Sequence, residues 1–281
     1  MAKSKKLIFG LGIGIFLTIM IIFTIYPILY AVIGSFKTNG ELTAGGSFLP
    51  QTGWHIENYY KAFIEADFTK YTFNSVIISL SCMIIAVITS ALAGYVFARR
   101  KFVGKKFIMA MYVGLMFIAL GSVTLYPIYA MLTRLGLNKN ILGLILALTG
   151  GQASNVLLVM GFVQSIPKEL DEAAIIDGCS IYGIFFRVIS PLIKPILAVV
   201  ALFVFRNSWN DYVTTLVMSI SMPNLKTLTV AVVQLKYSMN AAAEWHIMLA
   251  GASIAIIPIL IVYFFANKQF IAGLTAGAVK G

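Results

Sequence analysis

Long apolar runs separated by short polar stretches dominate the chain. About 20 apolar residues are enough for a helix to cross the roughly 30 Å hydrocarbon core of a membrane. Runs of that length lie at about 7–34, 72–98, 107–131, 141–165, 193–217 and 246–267. Pro127 interrupts the third run, and the polar stretch Arg206–Asp211 interrupts the fifth. The pattern predicts an all-α integral membrane protein with six transmembrane helices.

The composition of the chain agrees with a membrane protein. Of its 281 residues, 60% are hydrophobic and only 11% are charged, and the mean hydropathy is +0.92. A soluble domain is about half apolar and about a quarter charged, so a water-soluble protein is excluded. The net charge of +11 does not indicate a nucleic-acid partner, because no basic stripe lies on a soluble domain. Cys82 and Cys179 are isolated and predict neither a disulfide framework nor a metal site.

The positions of the basic residues predict the orientation. The cluster "RRKFVGKK" at 99–106 lies in a short loop between two apolar runs, and such clusters face the cytoplasm. Both termini are then cytoplasmic, and the first run is an uncleaved spanning helix rather than a signal peptide. We expect one transmembrane domain over residues 1–281, with its core at about 70–267. The loop at about 35–71 is expected outside the cell, with a short amphipathic helix.

The acidic segment at about 166–191 interrupts the apolar pattern on the cytoplasmic side. Pro167 suits the first position of a helix, and Gly178 can adopt the left-handed conformation that ends one. Ser180 can cap a second, amphipathic helix, which Pro191 closes. Carboxylates stabilise the positive end of a helix dipole. Those of the segment are Glu169, Asp171, Glu172 and Asp177.

Two interpretations of the acidic segment remain open from the residues alone. The small side chains of Ala173 and Ala174, bordered by carboxylates, form a surface that can enter a cleft on a partner. Alternatively, the segment is a solvated loop whose charges keep it out of the lipid.

The acidic segment resembles the EAA loop of the membrane subunits of ABC importers. That loop has EAA, three residues, Gly, nine residues and then I-x-L-P. This chain has "EAAIIDG", nine residues and "VISP", so that Val188 and Ser190 replace the Ile and the Leu. The matching positions are Glu172, Ala173, Ala174, Gly178 and Pro191.

A wider resemblance covers nearly the whole chain and points to sugar permeases of the maltose and multiple-sugar type, in particular to the second maltose permease. The segments that carry it, in order, are "FNSVIISL", "ALAGYVFARRKF", "LYPIYAMLTRLGLNKN", "IPKELDEAAIIDG", "SWNDY" and the terminal "GLTAGAVKG". Two prolines that the family often has, one near "MFIAL" and one after "WND", are absent.

The resemblance implies the fold of type I ABC importer permeases and a bacterial cell membrane location. It implies a homologous permease subunit, two cytoplasmic ATPase subunits and an extracytoplasmic sugar-binding protein as partners, with an oligosaccharide or related carbohydrate as substrate. The chain has no GxxxxGK[ST] phosphate loop, so ATP and Mg would bind the partner ATPases, and this subunit is no enzyme and binds no cofactor or metal. The residues that would couple it to the ATPase are Glu169, Glu172, Ala173, Ala174, Asp177 and Gly178.

The polar residues in the fifth run are candidates for the substrate path, because ionisable groups at membrane depth usually face a bundle interior or a wet cavity. They are Asn207, Trp209, Asn210 and Asp211, and Trp209 can stack on a sugar ring. In the alternative interpretation, Asn210 and Asp211 reach the outer headgroups and Arg206 pairs with another subunit. Trp209 then belongs to an interfacial aromatic belt.

Two other functions compete with carbohydrate import. An ABC permease for a non-sugar solute such as glycerol phosphate shares the EAA loop. An ion-coupled secondary transporter would show internal repeats and acidic residues near the membrane midplane, and the sequence shows few such residues and no obvious repeat.

Overall fold

The computed structural model describes residues 2–117, 121–237 and 243–278, and these contain helices and no strand. Residues 118–120, within "MFIAL", and 279–281, which end the terminal motif, lie outside the described part. The α-helices are α1 Ala2–Gly34, α2 Asn39–Ala44, α3 Glu57–Glu65, α4 Phe68–Arg99, α5 Lys105–Phe117, α6 Leu125–Arg134, α7 Ile141–Thr149, α8 Ala153–Ser165, α9 Glu169–Ile176, α10 Ile181–Gly183, α11 Ser190–Leu192, α12 Lys194–Asn210, α13 Val213–Ser221, α14 Leu228–Gln234 and α15 Trp245–Ala278.

Three helical stretches are long and apolar enough to cross a membrane: Phe9–Gly34, Phe68–Arg99 and Trp245–Phe264. Two pairs of helices qualify only as bent spans. α7 and α8 meet at 55°, and Ile181–Leu192 meets α12 at 76°. The described residues thus hold three spans, or up to five if each bent pair counts as one. The predicted third run is divided between α5 and α6, so the count of six remains a prediction.

The structure corrects the fifth predicted helix, which is not continuous over 193–217. α12 ends at Asn210, Asp211 has an extended backbone with ψ 121°, and α13 begins at Val213. The carboxylate of Asp211 accepts a hydrogen bond from the backbone N–H of Thr215, at 2.9 Å. An Asp side chain that bonds a nearby backbone N–H competes with the helix ladder, which explains the break.

The chain divides into two compact units, one formed by 1–69 with 231–257 and the other by 70–230 with 258–281. In the second unit, α4 and α8 approach closely at Gly94. A Cβ atom added to Gly94 would lie only 2.7 Å from Cγ1 of Val159, so a larger residue cannot occupy this position without a shift of the helices. Small residues at such crossings let two helix backbones come together.

In the first unit, the expected short helix of the 35–71 loop is α3. The loop is organised by the carboxylate of Glu41, which accepts hydrogen bonds from the backbone N–H groups of Thr38, Gln51 and Thr52. These bonds, the one from Thr38 first, lower the pKa of Glu41 from 4.5 to about 2. The carboxylate therefore remains charged in all but strongly acidic solution.

Candidate functional site

Helix α9 begins at Glu169, so Pro167 lies before the helix and does not take the first helical position that the sequence predicts. The end of the helix is the predicted one. Glu169, Asp171 and Glu172 lie in its first turn. At its C-terminus, the N–H of Cys179 donates to the carbonyl of Ala174 at 2.9 Å, and the N–H of Gly178 donates to that of Ile175 at 3.0 Å. Gly178 has φ +80°, which completes a Schellman motif and confirms its predicted role in ending the helix.

The two alanines of the EAA motif point in different directions. Ala174 is only 6% exposed and belongs to the hydrophobic core, whereas Ala173 is exposed. Consecutive residues of an α-helix are about 100° apart, so one alanine can face the core while its neighbour faces outward. The exposed face of α9 and its C-terminal turn is formed instead by Glu169, Glu172, Ala173, Ile175, Ile176, Asp177 and Gly178.

A buried ion pair attaches α9 to the end of α4. Nε of Arg99 lies 2.8 Å from Oδ2 of Asp171, and the side chains are only 6% and 15% exposed. Nη2 of Arg99 also donates to the carbonyl of Ile166, at 2.8 Å. The sequence predicted Arg99 only as a cytoplasmic charge and Asp171 only as a first-turn carboxylate. Their pairing fixes α9 to the end of α4 that is predicted to be cytoplasmic.

The chain after Gly178 leads from α9 to α12. Ser180 caps α10 as predicted, accepting a hydrogen bond from the N–H of Gly183 at 3.2 Å. The helix does not close at Pro191 but continues to Leu192. Residues 184–189 form a π-helical turn, in which Ser190 N–H bonds the carbonyl of Phe185, five residues back. Pro191 has no N–H to donate to the helix ladder. We attribute the continuation of the helix to the wider π-helical turn, in which this missing hydrogen bond is tolerated.

A polar cavity of about 510 Å³ lies where two interrupted helices meet. One wall is the turn between α7 and α8, and the other is the end of α12 with the start of α13. Two of the predicted path residues, Asn207 and Asp211, line it, while Trp209 and Asn210 do not. The other lining residues are Ala147, Leu148, Gly151, Gln152, Ser154, Asn155, Phe203, Val204, Arg206, Ser208 and Thr214.

Trp209 supports α12 from inside the protein. It is 1% exposed and stacks on Phe205, with ring centroids 5.7 Å apart and planes 21° apart. Its carbonyl accepts a hydrogen bond from the hydroxyl of Thr229 at 2.6 Å. This side chain therefore lies neither at a lipid interface nor on the cavity wall. Asn210 is exposed.

Hydrogen bonds compensate the negative charge of Asp211 in the cavity, whereas Arg206 has no carboxylate partner among the described residues. The carboxylate of Asp211 accepts from the backbone N–H of Thr215 and from the hydroxyls of Thr214 and Thr215, at 2.9–3.0 Å. Arg206 makes one long hydrogen bond, 3.4 Å from Nη2 to Oδ1 of Asn207, and no ion pair with a described residue. Its guanidinium is thus available to a ligand or to another subunit.

The cavity wall at the turn between α7 and α8 contains residues that the sequence did not predict as part of the substrate path. Nδ2 of Asn155 donates to Oε1 of Gln152 at 2.6 Å, and both side chains lie on the turn between α7 and α8. A second cavity of about 460 Å³ shares Gly151, Gln152 and Ser154 with the first and continues towards Tyr112 of α5. The available signal was the pair Gly150–Gly151 followed by polar residues inside an apolar run. Among the described residues, no group of His, Cys, Asp or Glu could hold a metal ion.

Known proteins resemble this chain over nearly its whole length. It is 32% identical over 280 residues to the probable ABC transporter permease protein YurM of Bacillus subtilis (strain 168), covering 99% of this chain and 91% of that protein. It is 31% identical to the maltodextrin transport system permease protein MdxG of the same organism, covering 100% and 99%. It is 32% identical to the arabinooligosaccharides transport system permease protein AraQ of Halalkalibacterium halodurans, covering 92% and 91%.

Among solved structures, a bacterial ABC transporter involved in the import of the acidic polysaccharide alginate has a similar chain. The TM-score is 0.80 at 24% identity, over 94% of this chain and 96% of the other, which establishes the fold. No protein-family model matches the chain. Relatives above 30% identity over almost the entire length establish the family, and the chain is a membrane subunit that belongs to the ABC transporter permease proteins.

Proposed function

We propose that the chain is one permease subunit of an ATP-driven importer for a carbohydrate, and that it forms half of an alternating-access path. The observation that carries this proposal is the near full-length similarity to permeases named for maltodextrin and arabinooligosaccharide transport. The partners are a homologous permease, two ATPase subunits that bind ATP and Mg, and an extracytoplasmic sugar-binding protein. Six spans with both termini in the cytoplasm place the 35–71 loop outside, near that binding protein.

Coupling to the ATPase takes place at the exposed face of α9 and its C-terminal turn. Glu169, Glu172 and Asp177 supply charge there, and Ile175 and Ile176 supply exposed apolar surface. An interface with an apolar centre and a charged rim is typical of specific protein contacts. The buried pair of Arg99 and Asp171 then transmits a displacement of α9 to α4.

A second connection runs from α9 to the polar cavity. The 76° corner at Ile193 joins the acidic segment to α12, whose other end carries Arg206 and Asn207. The acidic segment and α12 act together as a lever with two arrangements. When the ATPase subunits close on ATP, they favour one arrangement, and the cavity then opens to one side of the membrane instead of the other.

A second candidate function is the import of an anionic solute. Arg206 places a guanidinium on the cavity wall without a carboxylate partner among the described residues, which favours an anionic solute such as glycerol phosphate or an acidic carbohydrate. In that case Arg206→Gln should reduce uptake of the anionic solute and leave uptake of a neutral oligosaccharide unchanged. Uptake assays with a neutral and an acidic disaccharide would distinguish the two.

The proposed function is tested by purifying the chain with its partner subunits and reconstituting the complex in liposomes. We expect ATPase activity to rise when the sugar-loaded binding protein is added, and labelled oligosaccharide to accumulate only with ATP. Accumulation driven by a sodium or proton gradient, without the ATPase subunits, would contradict the proposal and support ion-coupled transport.

The cavity predicts different roles for two asparagines on the same helix. Asn207→Ala removes a polar group from the cavity wall, so we expect the KM for transport to rise about 3- to 10-fold, as for the loss of one hydrogen bond. Asn210→Ala, three residues further on, is the matched control and should leave the KM unchanged. Equal effects of both substitutions, or no effect of Asn207→Ala, would remove this cavity from the substrate path.

A further inference from the structure

A second, apolar groove lies along the beginning of α5. It has a volume of about 1190 Å³, and its lining includes three lysines, namely Lys101, Lys105 and Lys106. The remaining lining residues are Phe102, Gly104, Phe107, Met109, Ala110, Val113 and Gly114. The groove therefore combines three positive side chains, which we call its rim, with a mostly apolar lining, which we call its floor. This pattern matches an amphipathic ligand with a negative head.

Among the described residues, no carboxylate pairs with the lysines of this groove. Residues 99–117 contain five cations and no carboxylate. The two arginines turn towards the protein, since Arg99 pairs with Asp171 and the guanidinium of Arg100 lies 6.0 Å from the centre of the Tyr95 ring. The ammonium groups of Lys101 and Lys106 are exposed and make no ion pair with any described residue.

The groove also lies next to the end of a helix that can cross a membrane. Helix α4, which is long and apolar enough to cross a membrane, ends at Arg99, and the apolar part of α5 begins after Lys106. Between them Gly104, with φ +82°, makes the sharp turn, and Lys105 Nζ donates to the carbonyl of Arg100 at 3.0 Å. In the topology that the proposed function implies, the lysines lie beside the cytoplasmic membrane surface, and Phe107, Ala110 and Val113 lie in the apolar layer.

We propose that this groove binds an anionic phospholipid of the cytoplasmic leaflet. Its phosphate contacts Lys101 and Lys106, and one acyl chain lies along Phe107, Ala110 and Val113. Basic pockets beside membrane helices bind anionic headgroups in this way, and each lysine near the surface contributes about fivefold in affinity. A soluble phosphate compound would not need the apolar floor, and a neutral lipid or an apolar helix would not need the lysines.

The experiment uses the complete transporter in phosphatidylcholine nanodiscs with and without phosphatidylglycerol. Native mass spectrometry and a fluorescent phosphatidylglycerol measure the bound lipid. We expect phosphatidylglycerol to remain bound and the double substitution Lys101→Gln and Lys106→Gln to reduce its affinity about 25-fold. Ala110→Trp, which fills the floor, should also displace it. Lys194→Gln removes an exposed lysine outside the groove and should have no effect.

Three results would overturn the proposal. Phosphatidylcholine that binds as tightly as phosphatidylglycerol would exclude recognition of the headgroup charge. Binding of soluble glycerol phosphate at the same affinity would exclude a role for the acyl chain. A cross-link from Phe107→Cys to the partner permease in a lipid-free groove would identify that subunit as the occupant.

Discussion

Transport should fall about 5- to 150-fold when Gly178 is replaced by valine, although the protein still inserts into the membrane. Gly178 has φ +80°, a conformation that a β-branched residue adopts only with strain of about 1–3 kcal/mol. No atom of a described residue lies within 4 Å of an added Cβ, so the effect acts through the backbone and not through crowding. Valine would break the two hydrogen bonds that end α9 and would turn its exposed face away from the ATPase.

Uptake of radiolabelled oligosaccharide, with membrane levels measured by immunoblot, checks this prediction. Gly183→Ala is a suitable control in the same segment. An added Cβ there lies 3.5 Å from the Ser180 hydroxyl, an ordinary contact, and no positive φ is involved. Normal uptake by Gly178→Val, or an equal loss in both variants, would refute a special role of this turn in coupling.

Loss of the Arg99–Asp171 ion pair should uncouple the ATPase from transport. Removing one partner leaves the other charge buried, at a cost of about 3–5 kcal/mol. We expect Arg99→Ala to reduce uptake at least about tenfold, because α9 no longer moves α4. The exposed face of α9 is untouched, so the ATPase subunits should still copurify. Uptake and ATPase activity measured on the same preparation distinguish this result from failed assembly.

Two further variants make the prediction specific to the pair. The exchange Arg99→Asp with Asp171→Arg should restore part of the uptake that either single change removes, since only a direct interaction gives such coupling. Arg100→Ala, at the neighbouring position, removes a guanidinium that lies over Tyr95 and should have a small effect. Additive losses in the exchange variant would show that the ion pair does not transmit movement.

The features that sequence could predict are those that depend on neighbouring residues. The first-turn carboxylates, the left-handed Gly178 and the Ser180 cap each follow from local backbone chemistry, and the structure contains all three. The spanning helix α4 follows from an apolar run of sufficient length. The inward direction of Ala174 and the pairing of Asp171 with Arg99 depend on tertiary packing, so one sequence could not reveal them.

The cavity was predicted only in part for the same reason. Asn207 and Asp211 are recognisable as polar residues in an apolar run, and both line the cavity. Gln152 and Asn155 belong to another helix pair, and nothing in the sequence places the two helix breaks side by side. Trp209 was predicted as a candidate for the substrate path, but its side chain lies in the core. An aromatic residue beside polar ones in the sequence can pack inside the protein instead of contacting a ligand.

Cysteine cross-linking can show directly whether α9 contacts the ATPase subunit. Cys82 and Cys179 are first replaced by alanine, and single cysteines are introduced at Ile176, which is 85% exposed, or at the buried Ala174. A short bifunctional reagent should join Ile176→Cys to the ATPase subunit, in a yield that changes with ATP, while Ala174→Cys remains unmodified. If an Ile176→Cys variant supports ATP-driven uptake but never cross-links to the ATPase, or reacts only from outside the cell, α9 is not the element that couples the two subunits.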